Sequence, residues 1–132
     1  MSHTELRLIR HGEVARDWQG RIYGDLDVPL SPRGQEQSRA VAEALSDVDL
    51  AAVVSSGLER AAYAARIVAG SRGLEVGTDP RLKEIYRGDW AGLTFEEASL
   101  RDPEAFRAWR DSGGAIGAPG GCLLYTSDAA DE

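Results

Sequence analysis

The sequence is poor in the residues that cross-link chains or bind metals. Its 132 residues include one cysteine, Cys122, and two histidines, His3 and His11. A single cysteine excludes an intrachain disulfide. No cysteines and histidines recur at the spacing of metal ligands, so we expect neither a metal site nor another cofactor.

Positive charge and long apolar runs are also scarce. Lys and Arg number 15 against 22 Asp and Glu, which gives a formal net charge of −7. This balance argues against a nucleic acid or an anionic membrane as partner, and an anionic substrate would need a local basic pocket. No apolar run reaches membrane-spanning length, and a strand-like run starts near the N-terminus where a signal peptide would stand. We therefore expect a cytoplasmic protein.

What remains is typical of one globular domain, with 42% hydrophobic and 28% charged residues. Strand candidates lie at residues 4–9, 50–54 and 74–77, and helix candidates lie between and after them. Strands that alternate with helices predict a parallel sheet and an α/β fold.

Two longer helices are predicted from their ends. Ser31 is a good N-cap, and Pro32 suits the first helical position because its missing N–H has no partner there. The apolar stripe of this helix is predicted at four positions: Ala40, Val41, Ala44 and Leu45. A second helix is predicted at residues 58–69, with Gly70 at its end.

Two shorter helices are predicted further along. Thr94 and Glu97 have the spacing of a capping box. Asp102 is predicted to cap the next helix, which starts with Pro103. Phe106 and Trp109 then lie three positions apart on one helical face.

The most informative residues follow the first apolar run. Arg10, His11 and Gly12 come directly after it, at what would be the carboxyl end of a strand, where open α/β sheets bind ligands. Glycine permits a sharp turn or a close approach. The guanidinium matches phosphate oxygens, and an imidazole can act as a nucleophile, so the trio indicates phosphoryl chemistry. Taken alone, a histidine at a strand end is more often structural or solvated than catalytic.

Five segments in one order carry a wider resemblance. They are Arg10-His11-Gly12-Glu13, Gly24-Asp25-Leu26-Asp27-Val28-Pro29-Leu30-Ser31, Ser55-Ser56-Gly57-Leu58-Glu59-Arg60-Ala61, Leu82-Lys83-Glu84-Ile85 and Gly88-Asp89-Trp90-Ala91-Gly92-Leu93. Together they resemble the histidine phosphatase superfamily, also called phosphoglycerate mutase-like, over roughly residues 5–121. The resemblance implies a three-layer α/β/α fold with a mostly parallel sheet.

The resemblance also implies roles for four residues. His11 would be the nucleophile that forms a phosphohistidine, and Glu84 the general acid and base. Arg10 and Arg60 would bind the phosphate oxygens. Without the resemblance, the spacing favours a solvated helix arginine for Arg60. The alternative for Glu84 is a surface glutamate paired with Lys83 or Arg87.

Four further positions are possible substrate-binding residues: Gly12, Asp17, Tyr23 and Gly24. Relatives often carry an asparagine that touches phosphate where this chain has Asp17. A carboxylate there would repel phosphate unless it is protonated or turned away.

A second histidine is missing from the pattern. The family's pocket includes one on a later strand, in a Ser-His-Gly-like motif, whereas this chain has only His3 besides His11. In an extended strand His3 would lie roughly 26 Å from His11, at the far end of the sheet. We therefore expect that residues 1–121 are a truncated histidine phosphatase domain, whose C-terminal part is missing. Residues 122–132 resemble translated sequencing-adapter sequence, with a natural acidic terminus as the alternative.

The function predicted from these features is a phosphomonoester phosphatase that acts on a small phosphorylated metabolite, here as a weakly active fragment. The alternatives are a phosphoglycerate mutase and a non-catalytic phospholigand-binding protein. Dedicated mutases usually have a longer insertion before the catalytic glutamate, whereas only 23 residues separate Arg60 from Glu84 here. The sequence leaves the oligomeric state and the organic part of the substrate open.

Overall fold

The computed structural model describes residues 2–122, which form an α/β fold. Its elements in chain order are α1 (Pro32–Ala44), β1 (Val53–Ser55), α2 (Glu59–Gly70), β2 (Val76–Thr78), α3 (Phe95–Arg101) and α4 (Pro103–Asp111). Short 3-10 turns lie at Arg16–Trp18, Pro80–Leu82 and Gly88–Trp90.

The sheet consists of two parallel strands within residues 2–122. Val53 of β1 pairs with Val76 of β2, and Ser55 pairs with Thr78. Helix α2 connects the two strands and packs against both, and α1 packs against α2. The predicted parallel α/β arrangement is therefore confirmed, although both strands are shorter than predicted.

The predicted strand at residues 4–9 is wrong. No strand is assigned there, and the side chains of Leu6 and Leu8 are 78% and 93% exposed. A strand persists only when a neighbouring strand satisfies its backbone N–H and C=O groups. Residues 2–12 form no backbone hydrogen bond with another described residue. Their apolar pattern therefore lacks the partner that would make them a strand.

Helix α1 begins as predicted, but its buried face differs. The hydroxyl oxygen of Ser31 accepts a hydrogen bond from the amide of Gly34 at 3.0 Å. The buried positions of the helix are Gly34, Ser38 and Ala42, and not the predicted stripe, of which Ala40 and Ala44 are exposed. Small residues four positions apart let other segments approach α1 closely, which the apolar stripe did not predict.

The other helix ends agree with the prediction except at Asp102. Helix α2 ends at Gly70, and the capping box of α3 is present in both directions between Thr94 and Glu97. The side chain of Asp102, by contrast, caps nothing. Its carboxylate instead accepts a hydrogen bond from the indole N–H of Trp90 at 2.9 Å. A buried indole donor requires a partner, and this requirement decides where the carboxylate points.

Trp90 is the centre of the packed core. It is 1% exposed and is buried together with Ile22, Ala98 and Ala118. The rings of Phe106 and Trp109 in α4 lie 5.7 Å and 5.9 Å from the Trp90 ring. This cluster attaches α3 and α4 to the loop that carries Glu84.

Candidate active site

A cavity of about 580 Å³ lies between the N-terminal segment, the loop at residues 84–90 and the α3–α4 pair. Four of the predicted site residues line it: Arg10, Tyr23, Gly24 and Glu84. The other four predicted site residues, His11, Gly12, Asp17 and Arg60, are not part of its wall.

His11 is half-buried and lies between two residues, Arg10 and Glu13, that reach the cavity. Its Nδ1 atom is 2.7 Å from the carbonyl oxygen of Gly12. Because a carbonyl oxygen only accepts, Nδ1 is the donor in this contact. In a neutral imidazole the lone pair then resides on Nε2, which is the atom that a nucleophilic attack would use.

The segment after His11 is clamped against the start of α1. The carbonyl of Glu13 accepts a hydrogen bond from the amide of Ser31 at 2.9 Å, and its amide donates to Gln37 Oε1 at 2.8 Å. A Cβ on Gly12 would lie 2.5 Å from the carbonyl oxygen of Gly34, and one on Gly34 would overlap the carbonyl oxygen of Glu13. Gly12 is therefore required for close approach, and its φ is not positive.

Arg60 is almost completely buried, with 3% exposure. Its guanidinium donates hydrogen bonds of 2.6 Å to the carbonyl oxygens of Leu26 and Gly24. The guanidinium carbon also lies 4.8 Å above the ring of Tyr23. The alternative of a solvated helix arginine is therefore wrong. A guanidinium has five N–H donors, so these two bonds leave capacity for an anion.

Electrostatics connect Arg60 to the cavity. Burial lowers the pKa of Arg60 below its ordinary value, while Tyr23, Glu84 and Asp27, in that order, act in the opposite direction. The charge of Glu84 is therefore close enough to influence the pKa of Arg60. An anion arriving near this guanidinium would also favour its charged form.

Gly24 brings the two halves of the site together. It has a φ of +50°, a conformation that favours glycine. A Cβ there would lie 2.6 Å from both the carbonyl oxygen of Ile85 and Cγ of Arg87. The contact holds the loop of Glu84 against the segment that Arg60 anchors.

Glu84 is exposed, and its Oε1 atom is held on two sides. It accepts hydrogen bonds from the amide of Ile85 at 3.1 Å and from Nη2 of Arg87 at 3.4 Å. The pairing with a neighbouring cation is therefore present, and the same carboxylate lines the cavity.

Asp17 lies apart from this arrangement. It is exposed in the turn Arg16–Trp18, and its backbone carbonyl accepts a hydrogen bond from Nε of Arg21 at 3.0 Å. The carboxylate that would repel phosphate is thus away from the cavity wall.

Sequence reasoning missed several residues of the wall. Arg21 and Arg87 add positive charge, and Phe95 and Trp109 add aromatic surface. A usable indication for Trp109 was its shared helical face with Phe106. For Arg21, Arg87 and Phe95 no local pattern distinguishes a cavity residue from a surface one.

Within residues 2–122, no group of three or more His, Cys, Asp or Glu side chains could hold a metal ion. No helix in this range is both long enough and apolar enough to cross a membrane.

A family model described as histidine phosphatase superfamily (branch 1) matches residues 6–126. The phosphoglycerate mutase-like protein 4 of Arabidopsis thaliana is 40% identical over 123 residues, which is 92% of this chain and 54% of that protein. The glucosyl-3-phosphoglycerate phosphatase of Mycolicibacterium vanbaalenii is 40% identical over 111 residues, 84% of this chain and 49% of that protein.

Solved structures show the same likeness. A mycobacterial glucosyl-3-phosphoglycerate phosphatase has a TM-score of 0.79 at 36% identity, over 91% of this chain and 56% of that chain. The alpha-ribazole phosphatase of Shigella flexneri has a TM-score of 0.79 at 34% identity, over 87% of this chain and 57% of that chain. The chain thus spans about half the length of the curated relatives it matches.

Proposed function

The chain belongs to the histidine phosphatase superfamily, and from that premise we propose that it acts on phosphomonoesters through a phosphohistidine at His11. The observation that carries the proposal is that Arg10 and Glu84, from distant parts of the sequence, line one cavity beside His11. The relatives named as phosphatases support the same class of reaction.

In the first step, Nε2 of His11 attacks phosphorus, and the bond from phosphorus to the alcohol oxygen breaks. Glu84 in its protonated form supplies the proton that the leaving oxygen needs. Charge that develops on the phosphoryl oxygens is stabilised by the guanidinium groups of Arg10 and Arg60.

In the second step, water attacks the phosphohistidine. Glu84, now a carboxylate, accepts a proton from that water, and the bond from nitrogen to phosphorus breaks. Inorganic phosphate leaves and the imidazole returns to its starting state. A mutase would share the first step but pass the phosphoryl group to a second hydroxyl.

We further propose that this chain forms the phosphohistidine but completes turnover slowly. The resemblance assigns a second histidine to the phosphate pocket, and the only other histidine of this sequence, His3, is exposed in the segment without strand partners. One contributor to transition-state stabilisation would then be absent, and such groups are worth about 10²–10³ in rate.

The decisive experiment is a rapid quench of this chain with a ³²P-labelled aryl phosphate. Wild type and His3→Ala should both acquire acid-labile label, whereas His11→Ala should acquire none. Label in His11→Ala, or its absence from wild type, would refute the phosphohistidine. Adding glycerol tests the alternative, because a phosphoryl acceptor other than water would yield glycerol phosphate in place of inorganic phosphate.

A further inference from the structure

Part of the cavity wall is aromatic. Phe95, at the first position of α3, and Trp109 of α4 both line it, and we call this pair the aromatic shelf. Phe95 is 47% exposed, although a side chain of this size usually packs inside. A large apolar ring kept open to a cavity is a typical ligand-binding feature.

The shelf is preformed. Its two rings lie 6.2 Å apart with 28° between their planes, so they present nearly parallel faces. Trp90 contacts Trp109 edge-on at 5.9 Å and 88°. Trp90 is in turn fixed by its hydrogen bond to Asp102. A ligand would find this surface already ordered and would not have to order it on binding.

The shelf offers ring surface rather than hydrogen bonds. The indole N–H of Trp109 is buried and forms no hydrogen bond with any residue that the structure describes. The same cavity is also lined by charged side chains, those of Arg10, Glu13, Arg21, Glu84 and Arg87. Its wall therefore combines ring surface with charged groups.

From this combination we propose that the alcohol part of the substrate carries a flat aromatic ring, which packs on the aromatic shelf while the phosphoryl group binds at Arg10. The cavity of about 580 Å³ is within the range that holds a drug-sized organic molecule and is larger than phosphate alone requires. A short, fully polar alcohol would leave the shelf in water. The proposal rests on the phosphatase function above and deepens it.

The test measures binding of stable phosphonates to this chain by titration calorimetry. Benzylphosphonate should bind about tenfold more tightly than methylphosphonate, since aromatic contacts add to the phosphate contacts that both share. Cyclohexylmethylphosphonate, of similar size but not flat, should fall between them. Phe95→Ala should remove the preference for the aryl compound and leave the affinity for methylphosphonate unchanged.

Leu100→Ala is the matched control, because Leu100 is on the same helix, is 74% exposed and does not line the cavity. It should behave as wild type. Three results would each overturn the proposed role of the aromatic shelf. They are equal affinities for benzyl- and methylphosphonate, equal affinities for the benzyl and cyclohexylmethyl compounds, and equal effects of the two substitutions. If wild type bound none of the three phosphonates and no inorganic phosphate, the proposed function itself would fail.

Discussion

The guanidinium of Arg60 illustrates at the residue scale how a permanent charge is kept inside this protein. It is compensated by the carbonyl oxygens of Leu26 and Gly24 and by the face of Tyr23. Removing such a side chain leaves buried acceptors unpaired and lowers stability as well as any ligand affinity. Arg60 is therefore a poor probe of phosphate binding, whereas Arg10, which is exposed on the cavity wall, is a clean one.

We predict that Arg10→Ala weakens the binding of inorganic phosphate by roughly 1.5–3 kcal/mol, the usual value for hydrogen bonds to a charged group. Arg7→Ala is the control, because Arg7 lies in the same exposed segment and pairs with Glu5 at 2.6 Å. Its removal should leave affinity within error of wild type. Isothermal titration calorimetry at low salt measures the phosphate affinity of both variants. Equal losses of affinity would mean that phosphate binding depends only on the net charge of the segment.

The residue types of the site were predictable from the sequence, but their surroundings were not. The order of motifs selected Arg10, Tyr23, Gly24 and Glu84, which the structure brings to one cavity. The burial of Arg60 was not foreseen, because it depends on carbonyl groups more than 30 positions earlier in the chain. Contacts of this kind carry no local sequence pattern.

At the scale of elements, the start of α1 determines where the histidine segment lies. Gly34 is inside a helix, where alanine normally stabilises by about 1 kcal/mol. Here a Cβ would overlap the carbonyl oxygen of Glu13. The close contact therefore requires glycine at this position, although glycine has a low helical propensity.

We predict that Gly34→Ala lowers the free energy of unfolding by about 1–3 kcal/mol, as overpacking does. Gly70→Ala, at the end of α2, should instead raise it by about 0.4–1 kcal/mol, because, among the described residues, no atom beyond the neighbouring backbone of the helix lies within 4 Å of the added Cβ. Urea unfolding followed by circular dichroism gives both values. If Gly34→Ala raised the free energy of unfolding, the backbones at Glu13 and Gly34 would be able to move apart without loss of stability.

Helix ends were predictable because their causes are local, whereas the strand at residues 4–9 was not. Ser31 and Thr94 bond to amides three positions away, and the sequence displays both partners. The prediction that the side chain of Asp102 caps α4 was wrong because its hydrogen-bond partner is not local: Trp90 lies 12 positions earlier. A strand depends on a neighbour that the local sequence never specifies.

At the scale of the whole molecule, apolar side chains are unevenly distributed. Leu6, Leu8 and Val54 are exposed, the first two on the segment without strand partners and the third on β1. Apolar strand-like segments with unpaired backbone groups favour association with other chains. These three side chains thus lie outside the packed core.

We predict that the amides of residues 2–12 exchange with deuterium close to the rate of an unstructured peptide, because no acceptor within the described residues holds them. The amides of Ala15 and Ser31, bonded to the carbonyls of Pro29 and Glu13, should exchange more slowly. Peptide-resolved mass spectrometry after short labelling times reads both in one sample. Protection at residues 4–9 would demonstrate that this segment is paired in solution.

The close approach of residues 12–13 to the first turn of α1 restricts how this gene can be recombined with its relatives. The atoms that would collide are backbone atoms of Glu13 and Gly34, so no second-site substitution can make room for a larger residue. Whether two relatives can exchange these segments then depends on the positions of their backbones and not on their side chains. In a chimera with its crossover between residues 14 and 31, the two contacting backbone segments would come from different parent proteins. A chimera that inherits residues 11–37 from a single parent preserves this contact.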